Sequence, residues 1–255
     1  MPAEVIKLVH AMISLMHQSL HLLRRMFDRC SGREELGPPS CELDADAASA
    51  MIEDLLRSGR PAMVGRFGCT EMSCLHNYLE IGKAGRNPLD YITGRRDQWW
   101  WNKNIMRQMR EWSGFFPAAP EYLARFCELM LRDMMELDIL GSWLPYEREV
   151  MPMIRDVPRV RLLNLEPYWS SRPWSRALEG RKVLVVHPFA ESITLQYERN
   201  RERIFENPEV LPSFSLETLA AVQSLGAGPD RFADWFEALA WMEGEMDRRD
   251  YDVCL

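Results

Sequence analysis

Residues 62–71 decide how this chain is read: Ala62-Met63-Val64-Gly65-Arg66-Phe67-Gly68-Cys69-Thr70-Glu71. The apolar residues 62–64 predict a short buried strand. Gly65 and Gly68 are predicted to bracket a turn, with Thr70 as the N-cap of a helix that begins at Glu71. The segment therefore predicts a strand, a turn and a helix N-terminus, which is where open α/β sheets hold their ligands.

The predicted turn offers groups that suit an anion. Backbone N–H groups and the positive end of a helix attract phosphate. Arg66 adds a planar fork of donors for a phosphate or a carboxylate. A second interpretation stays open, in which the two glycines only form a turn and Arg66 pairs with Glu71.

Composition narrows the class of protein. The chain has 255 residues, 47% of them hydrophobic and 27% charged, and a formal net charge of −7. This acidic balance predicts no nucleic-acid partner. The six cysteines form no C-x-x-C pair, and the N-terminal segment lacks the pattern of a signal peptide, which predicts a cytoplasmic protein without a zinc site.

The N-terminal segment is predicted to be one amphipathic helix over residues 4–29. Its apolar residues recur at heptad spacing, interrupted by Ser19: Val5, Leu8, Met12, Leu15, Leu22 and Met26. Three roles are open, in this order: packing on the body, homodimerisation, and peripheral binding to the inner face of a membrane. We interpret His10, His17 and His21 as packed or solvated rather than as metal ligands. Residues 1–30 are the helix, 31–45 a linker and 46–255 the main domain.

The rest of the chain alternates between helical and strand patterns. Strands are predicted at 138–141, 160–165, 182–187 and 251–255. Helices are predicted at 44–58, 121–137, 191–205 and 229–248. The pattern predicts an α/β fold with a Rossmann-like, mostly parallel sheet flanked by helices. A strand at the last residues predicts that the domain is truncated at its C-terminus.

Two further groups of residues are candidates for a binding site: the tryptophans at 99–101 and the polar residues that begin at His187. Residues 99–101 are three tryptophans followed by basic residues, a pattern that could stack on a base or a sugar. We favour the interpretation in which the tryptophans fill the core beside a solvated basic face. His187 ends the most apolar strand and faces the same edge as Arg66. The next helix carries a polar stripe with a spacing of four, formed by Ser192, Gln196 and Asn200. Glu147 and Arg148, which follow Trp143-Leu144-Pro145, are weaker candidates for a loop that binds the acceptor.

The motif Arg66-Phe67-Gly68-x-x-Glu71 resembles the RFGxGE-type motif of bacterial GT-D-fold glycosyltransferases. The segments 165–168, 173–175 and 183–189 are similar to the second half of relatives of that family, so the resemblance covers residues 46–255. It implies a GT-D-like domain that moves a sugar from a nucleotide-diphosphate donor to the hydroxyl of a sugar or glycan acceptor. Synthesis of a surface polysaccharide or a glycoprotein is the implied setting.

The resemblance also implies which residues bind and react. The donor-binding residues would be Gly65, Arg66, Phe67, Gly68 and Thr70, joined by the stripe of Ser192, Gln196 and Asn200. Members of the family often carry Asp-Gly-Glu where this chain has Cys69-Thr70-Glu71, and that acidic motif is associated with metal handling. With the Asp replaced by Cys69, we expect weak or no dependence on Mn²⁺ or Mg²⁺.

Two residues are candidates for the general base. The resemblance ranks Glu71 first and His187 second. Elementary chemistry reverses that order, because a carboxylate at a helix N-terminus is stabilised in its charged form whereas a neutral imidazole accepts a proton near pH 7. Two other functions stay open: a non-catalytic sugar-nucleotide or partner-binding module derived from such a transferase, and another Rossmann-like enzyme such as a methyltransferase.

Overall fold

Helices alternate with short strands along most of the chain. The structure is a computed structural model that describes residues 3–31, 37–222 and 231–255. Its α-helices are α1 (Ala3–Ser31), α2 (Ala45–Arg57), α3 (Cys69–Gly82), α4 (Pro88–Ile92), α5 (Lys103–Glu111), α6 (Pro120–Asp133), α7 (Glu147–Val150), α8 (Ala190–Ile204) and α9 (Trp235–Asp247). Its strands are β1 (Met63–Arg66), β2 (Leu137–Ser142), β3 (Arg159–Arg161), β4 (Lys182–Val186), β5 (Ser215–Leu219) and β6 (Val253–Cys254).

The strands form two parallel sheets of three strands each. The first has the order β1-β2-β3 and the second β5-β4-β6. The prediction of an α/β chain with parallel strands is confirmed, but the described strands do not join into one sheet. Their edges β1 and β6 both line a cavity of about 630 Å³, which also contacts the apolar face of α2. The Rossmann-like comparison stays a prediction.

Strand β1 differs from its prediction in one respect. The strand is present, but Met63 is 42% and Val64 37% exposed, so the expected burial is wrong. The physical reason is position: β1 pairs only with β2, which leaves its other edge and part of its surface open to the cavity. Gly65 also lies within this strand rather than at the start of the turn.

Some of the other predicted helices and strands are confirmed, and others are wrong. Helix α2 starts after Asp44, whose side chain accepts from the Ala47 N–H (2.7 Å), and Gly59 follows it with φ +68°. Strand β4 is confirmed, with Val183 and Leu184 buried. The predicted strand 160–165 is wrong beyond residue 161, because a 3₁₀ helix begins at residue 162. Strand β5 was not predicted.

The main core lies between α3, α5, α6 and β2. Leu75, Leu123 and Leu140 are completely buried there, and the exposed fraction of Met109 is 1%. In this core the Sγ atoms of Cys74 and Cys127 lie 3.8 Å apart. The hydrogen bond between the two thiols, together with burial, raises the pKa of the Cys127 thiol.

Helix α1 packs on an aromatic cluster of the body. Leu20 is buried against Tyr91 and Trp99. His17 stacks on Trp100, with ring centroids 3.8 Å apart, and His21 Nδ1 lies 2.6 Å from the Tyr91 hydroxyl. The first of the three roles predicted for this helix is therefore confirmed.

The same contacts account for the tryptophans. They pack as expected, but they precede α5 instead of lying within a helix. None of the helices within residues 3–31, 37–222 and 231–255 combines the length and apolarity that crossing a bilayer requires. Part of the predicted linker, residues 32–36, lies outside the described residues, as do residues 223–230, and with them the predicted start of the last helix.

Candidate functional site

The turn after β1 is built differently from its prediction. Helix α3 begins at Cys69, and Gly68 is its N-cap, without a side-chain cap. The Gly68 carbonyl accepts the first helical hydrogen bond, from the Met72 N–H at 2.9 Å. Thr70 already lies inside the first turn, so the prediction that Thr70 caps the helix is wrong. The N–H groups before Met72 are the unpaired donors of a helix N-terminus.

Glu71 folds back over Gly68. A Cβ atom added to Gly68 would lie 1.9 Å from Glu71 Oε2, so the carboxylate occupies the space that any other residue would fill. A negative charge at this end of α3 interacts favourably with the helix dipole. This packing explains why the motif pairs a glycine with a glutamate three residues later.

Arg66 is exposed at the carboxyl end of β1. Across the part of the chain that the structure describes, the Arg66 side chain forms no ion pair and no hydrogen bond. The alternative in which Arg66 pairs with Glu71 is therefore wrong. The next residue, Phe67, is buried, and its carbonyl accepts from the Trp143 indole N–H at 2.9 Å, so it fixes the turn and does not face solvent.

The turn after β2 stands beside the turn after β1. Glu147, which is completely buried, accepts from the Ser142 hydroxyl and from the N–H groups of Trp143 and Leu144, both at 2.9 Å. Three donors on one carboxylate hold this turn in place. Glu147 has no exposed surface, so it holds the turn and does not contact an acceptor itself; that this turn belongs to an acceptor loop stays a prediction.

The held turn presents two aromatic side chains, Trp143 (37% exposed) and Tyr146 (40% exposed). Burial first, then the carboxylates of Asp97 and Glu149 and the nearby thiol of Cys69, raise the pKa of the Tyr146 phenol. Tyr146 therefore lies near the start of α3. We call the group Arg66, Gly68, Glu71, Trp143 and Tyr146 the β1–β2 site.

Beneath this site lies a charged group that the sequence reading missed. His76 stacks under Tyr146 with ring centroids 4.4 Å apart. Its Nδ1 lies 2.7 Å from a Glu149 oxygen and its Nε2 3.0 Å from an Asp97 oxygen. Burial lowers the pKa of His76, but the hydrogen bonds and charges of the two carboxylates outweigh burial and raise it to about 9. His76 is a buried imidazolium.

The second sheet carries the remaining candidates. His187 is exposed after β4, and its Nδ1 accepts from the Phe189 N–H at 3.1 Å. The neutral ring therefore carries its proton on Nε2. Ser192 and Gln196 are exposed on α8, and Gln196 accepts from the Asn200 amide at 2.7 Å. This stripe satisfies part of its hydrogen-bonding capacity internally.

The structure thus separates the predicted residues into two groups. Arg66, Gly68 and Glu71 meet at the β1–β2 site. His187 and the α8 stripe lie at the end of the other sheet, and no hydrogen bond, ion pair or ring contact links them to Arg66 or Glu71 among the described residues. Their roles in binding or catalysis stay predictions.

The side chains at the β1–β2 site that could ligate a metal ion are few. Glu71 is the one carboxylate there, and Cys69, exposed beside it, is a thiol that suits Mn²⁺ or Mg²⁺ poorly. Over residues 3–31, 37–222 and 231–255, no group of three or more His, Cys, Asp or Glu side chains is arranged to hold a metal ion. These residues do not fit a divalent-cation site.

Fold and site define a class of protein. It is an α/β protein that carries, at the carboxyl edge of a parallel sheet, an arginine without an ion pair among the described residues and a helix N-terminus without a side-chain cap. Comparison of the chain with models of protein families, with curated proteins and with solved structures finds no match. The family resemblance of the Arg66 motif therefore stays a prediction.

Proposed function

We propose that this chain is a glycosyltransferase that binds a nucleotide-diphosphate sugar at the β1–β2 site and transfers the sugar to an acceptor hydroxyl. The observation that carries this proposal is Arg66, exposed and without an ion pair among the described residues, two residues before an uncapped helix N-terminus. An unpaired guanidinium beside free N–H donors suits the pyrophosphate of such a donor.

Each part of the donor has a matching group. The pyrophosphate lies between Arg66 and the first N–H groups of α3. Trp143 or Tyr146 offers an exposed ring face on which a base or sugar stacks. Glu71, already at the helix N-terminus, repels a phosphate from its own position and accepts from a ribose or sugar hydroxyl.

The chemistry follows from this placement. Departure of the nucleoside diphosphate builds negative charge, which Arg66 and the N–H groups stabilise without reorganising. Glu71 is the carboxylate at the site and orients a hydroxyl. For His187 to act as the base, its ring must release the Phe189 N–H or exchange tautomers, because its free nitrogen carries the proton.

A second candidate is a sugar-nucleotide-binding module without transferase activity. The observation that favours it is the single carboxylate at the β1–β2 site, with Cys69 in the position where an acidic residue would stand. A turnover assay with a panel of nucleotide sugars separates the two. Binding without transfer or hydrolysis would identify the module.

Calorimetric titration with a panel of nucleoside diphosphates tests the shared binding step. Arg66→Ala is expected to weaken binding by roughly 1.5–3 kcal/mol, the worth of a hydrogen bond to a charged group. Arg86→Ala is the matched control, because Arg86 is exposed beyond the far end of α3. Equal affinities of a folded Arg66→Ala protein and the wild type would contradict both candidates.

A further inference from the structure

Helix α1 carries an apolar face that the body leaves open. Its exposed residues include Leu8 (64%), Met12 (62%), Leu15 (63%), Leu22 (61%) and Met26 (57%). At 1.5 Å per residue, the stretch from Val5 to Met26 extends for about 32 Å. An apolar stripe of this length on a protein surface marks an interaction site.

The contacts with the body come from the other side of the helix. His17, His21 and Arg24 reach the aromatic cluster and Asp97, at spacings of four and three. At 100° per residue, these side chains lie about half a turn from Leu15 and Leu22. Docking of α1 on the body therefore leaves the apolar stripe accessible.

The stripe follows a heptad repeat without a break in spacing. Steps of three and four residues alternate from Val5 through Leu8, Met12, Leu15, Ser19, Leu22 and Met26. In heptad letters, every d position is a leucine, and the a positions are Val5, Met12, Ser19 and Met26. A lipid surface requires only an apolar face, whereas a 3.5-residue period with leucine at each d position is the pattern of a helix that packs on another helix.

We propose that the occupant of this stripe is α1 of a second copy of the chain, in an antiparallel coiled coil. With Met12 packed against Leu15 of the second copy at the centre, Val5 faces Leu22 and Leu8 faces Ser19. The arrangement is two-fold symmetric, so each contact occurs twice. Both bodies then lie outside the pair of helices.

The residues beside the seam fix the direction. Antiparallel helices pair e with e and g with g. The e positions are apolar and exposed, and in this register Val9 of each copy lies against Met16 of the other. A parallel pair would instead place these residues against Glu4, Ala11 and Gln18. Only the antiparallel arrangement brings the apolar e positions of the two copies into contact with each other.

Charge leads to the same register. The g positions at the two ends of the seam are Glu4 and Arg25, which form no ion pairs among the described residues. In the antiparallel register, Glu4 of one copy faces Arg25 of the other, so two ion pairs close the two ends. The parallel arrangement leaves both charges without a partner.

Sedimentation equilibrium of the full chain over a concentration series tests the dimer. Leu15→Glu is expected to raise the dissociation constant at least about tenfold. Because Leu15 is exposed in the single chain, the variant stays folded. Lys7→Gln changes the net charge by the same amount off the seam and is expected to dimerise as the wild type does. A wild type that is monomeric up to roughly 100 μM overturns the proposal.

Charge reversal tests the direction. Glu4→Arg and Arg25→Glu are each expected to weaken the dimer, and the double variant is expected to recover it. Failure of the double variant to recover, or single variants without effect, overturns the antiparallel register. Ser19→Leu replaces the one polar residue of the stripe, which occurs in two layers of the dimer, and is expected to tighten the dimer. Flotation of a monomeric wild type with vesicles containing anionic lipid would assign the stripe to a membrane surface and overturn the proposal.

Discussion

Gly68 lies in contact with two parts of helix α3. Its carbonyl starts α3, and the Glu71 carboxylate lies where its Cβ would be. The backbone angles of Gly68 (φ −73°, ψ 143°) are open to any residue, so the glycine is required by contact and not by conformation. By leaving this space free, Gly68 allows the Glu71 carboxylate to lie against the start of α3.

Gly68→Ala is expected to displace Glu71 with little loss of stability. Replacing a glycine N-cap by alanine costs about 0.5–1 kcal/mol, whereas a moved carboxylate changes the β1–β2 site directly. We expect nucleotide-sugar turnover to fall at least about tenfold, in the way a mispositioned group lowers a rate. Gly82→Ala, at a position with nothing within 4 Å, is the control. Wild-type turnover in Gly68→Ala would mean that the position of Glu71 is unimportant.

His76 makes stability depend on pH in a defined direction. Its pKa of about 9 in the folded chain lies above the ordinary value of 6.5, so the folded state holds a proton that the unfolded state releases first. The contribution is complete below pH 6.5 and is lost as the pH rises through 9. Its size is about 3 kcal/mol at most, from the worth of each pKa unit.

The measurement is the free energy of unfolding of the wild type and of His76→Gln between pH 6 and pH 10. The two proteins are expected to differ most at the acidic end and to converge above pH 9. A difference that stays constant over this range would show that His76 acts through packing alone. Asp97, whose pKa falls to about 2 because the His76 and Arg24 hydrogen bonds and charges outweigh its burial, loses its contribution only below pH 4.

At the scale of elements, the docking of α1 has the opposite pH dependence. Burial, followed by the charges of His21 and Lys103, lowers the pKa of His17. Burial and the charges of Arg25 and Arg24 lower the pKa of His21. A histidine with a lowered pKa contributes stability above pH 6.5 and loses it as the pH falls.

Acidification from pH 7 to pH 5 is therefore expected to loosen α1 on the body. After correction for the pH dependence of intrinsic exchange, the protection factors of the amides in residues 17–24 should fall several-fold more than those in α3. His17→Phe keeps a ring for stacking on Trp100 but takes up no proton, so this variant should show a smaller response. An identical response in wild type and variant would remove His17 as the cause.

At the scale of the whole molecule, one ion pair ties α2, beside the first sheet, to the segment that leads into the second. Arg176 donates to both oxygens of Glu53, with Nε at 2.9 Å from each and Nη2 at 2.6 Å from Oε2. Glu53 is buried, and Arg57 contacts the same carboxylate from the exposed side at 2.8 Å. The bidentate contact holds the two halves together.

Arg176→Ala is expected to lower the unfolding midpoint by about 3 °C or more, because it leaves a buried carboxylate with its weaker partner. Arg57→Ala removes a more exposed contact to the same carboxylate and should have a clearly smaller effect. Thermal unfolding of both variants gives the comparison. Equal shifts would show that the two arginines are equivalent and that the link between the halves lies elsewhere.

Features whose partners lie close together along the chain could be predicted from the sequence. Helix α2 was predictable because Asp44 and Gly59 mark its ends locally, and β4 because its apolar run is continuous. Arg66, Gly68 and Glu71 come together within six residues. Strand β5 is only five residues long, and its exposure alternates around Glu217. It was missed because its stability comes from pairing with β4.

The rest of the site depends on contacts between distant segments. Trp143 reaches Phe67 across 76 residues, and His76 finds its carboxylates 21 and 73 residues away. No local pattern marks such partners. The two-sheet arrangement was unpredictable for a related reason, since which strands pair is settled by packing and not by the strands' own sequences.

The buried pair of thiols, Cys74 and Cys127, allows the opening rate of the main core to be measured. Cys30, Cys69 and Cys254 are exposed and open to alkylating reagents in the native protein, whereas Cys74 and Cys127 are completely buried. Thiolate is the reactive form, and the raised pKa of Cys127 keeps that sulfur protonated. Alkylation of this pair therefore waits for the contact between α3 and α6 to open, so the mass added with time records the opening rate of the core without an introduced probe.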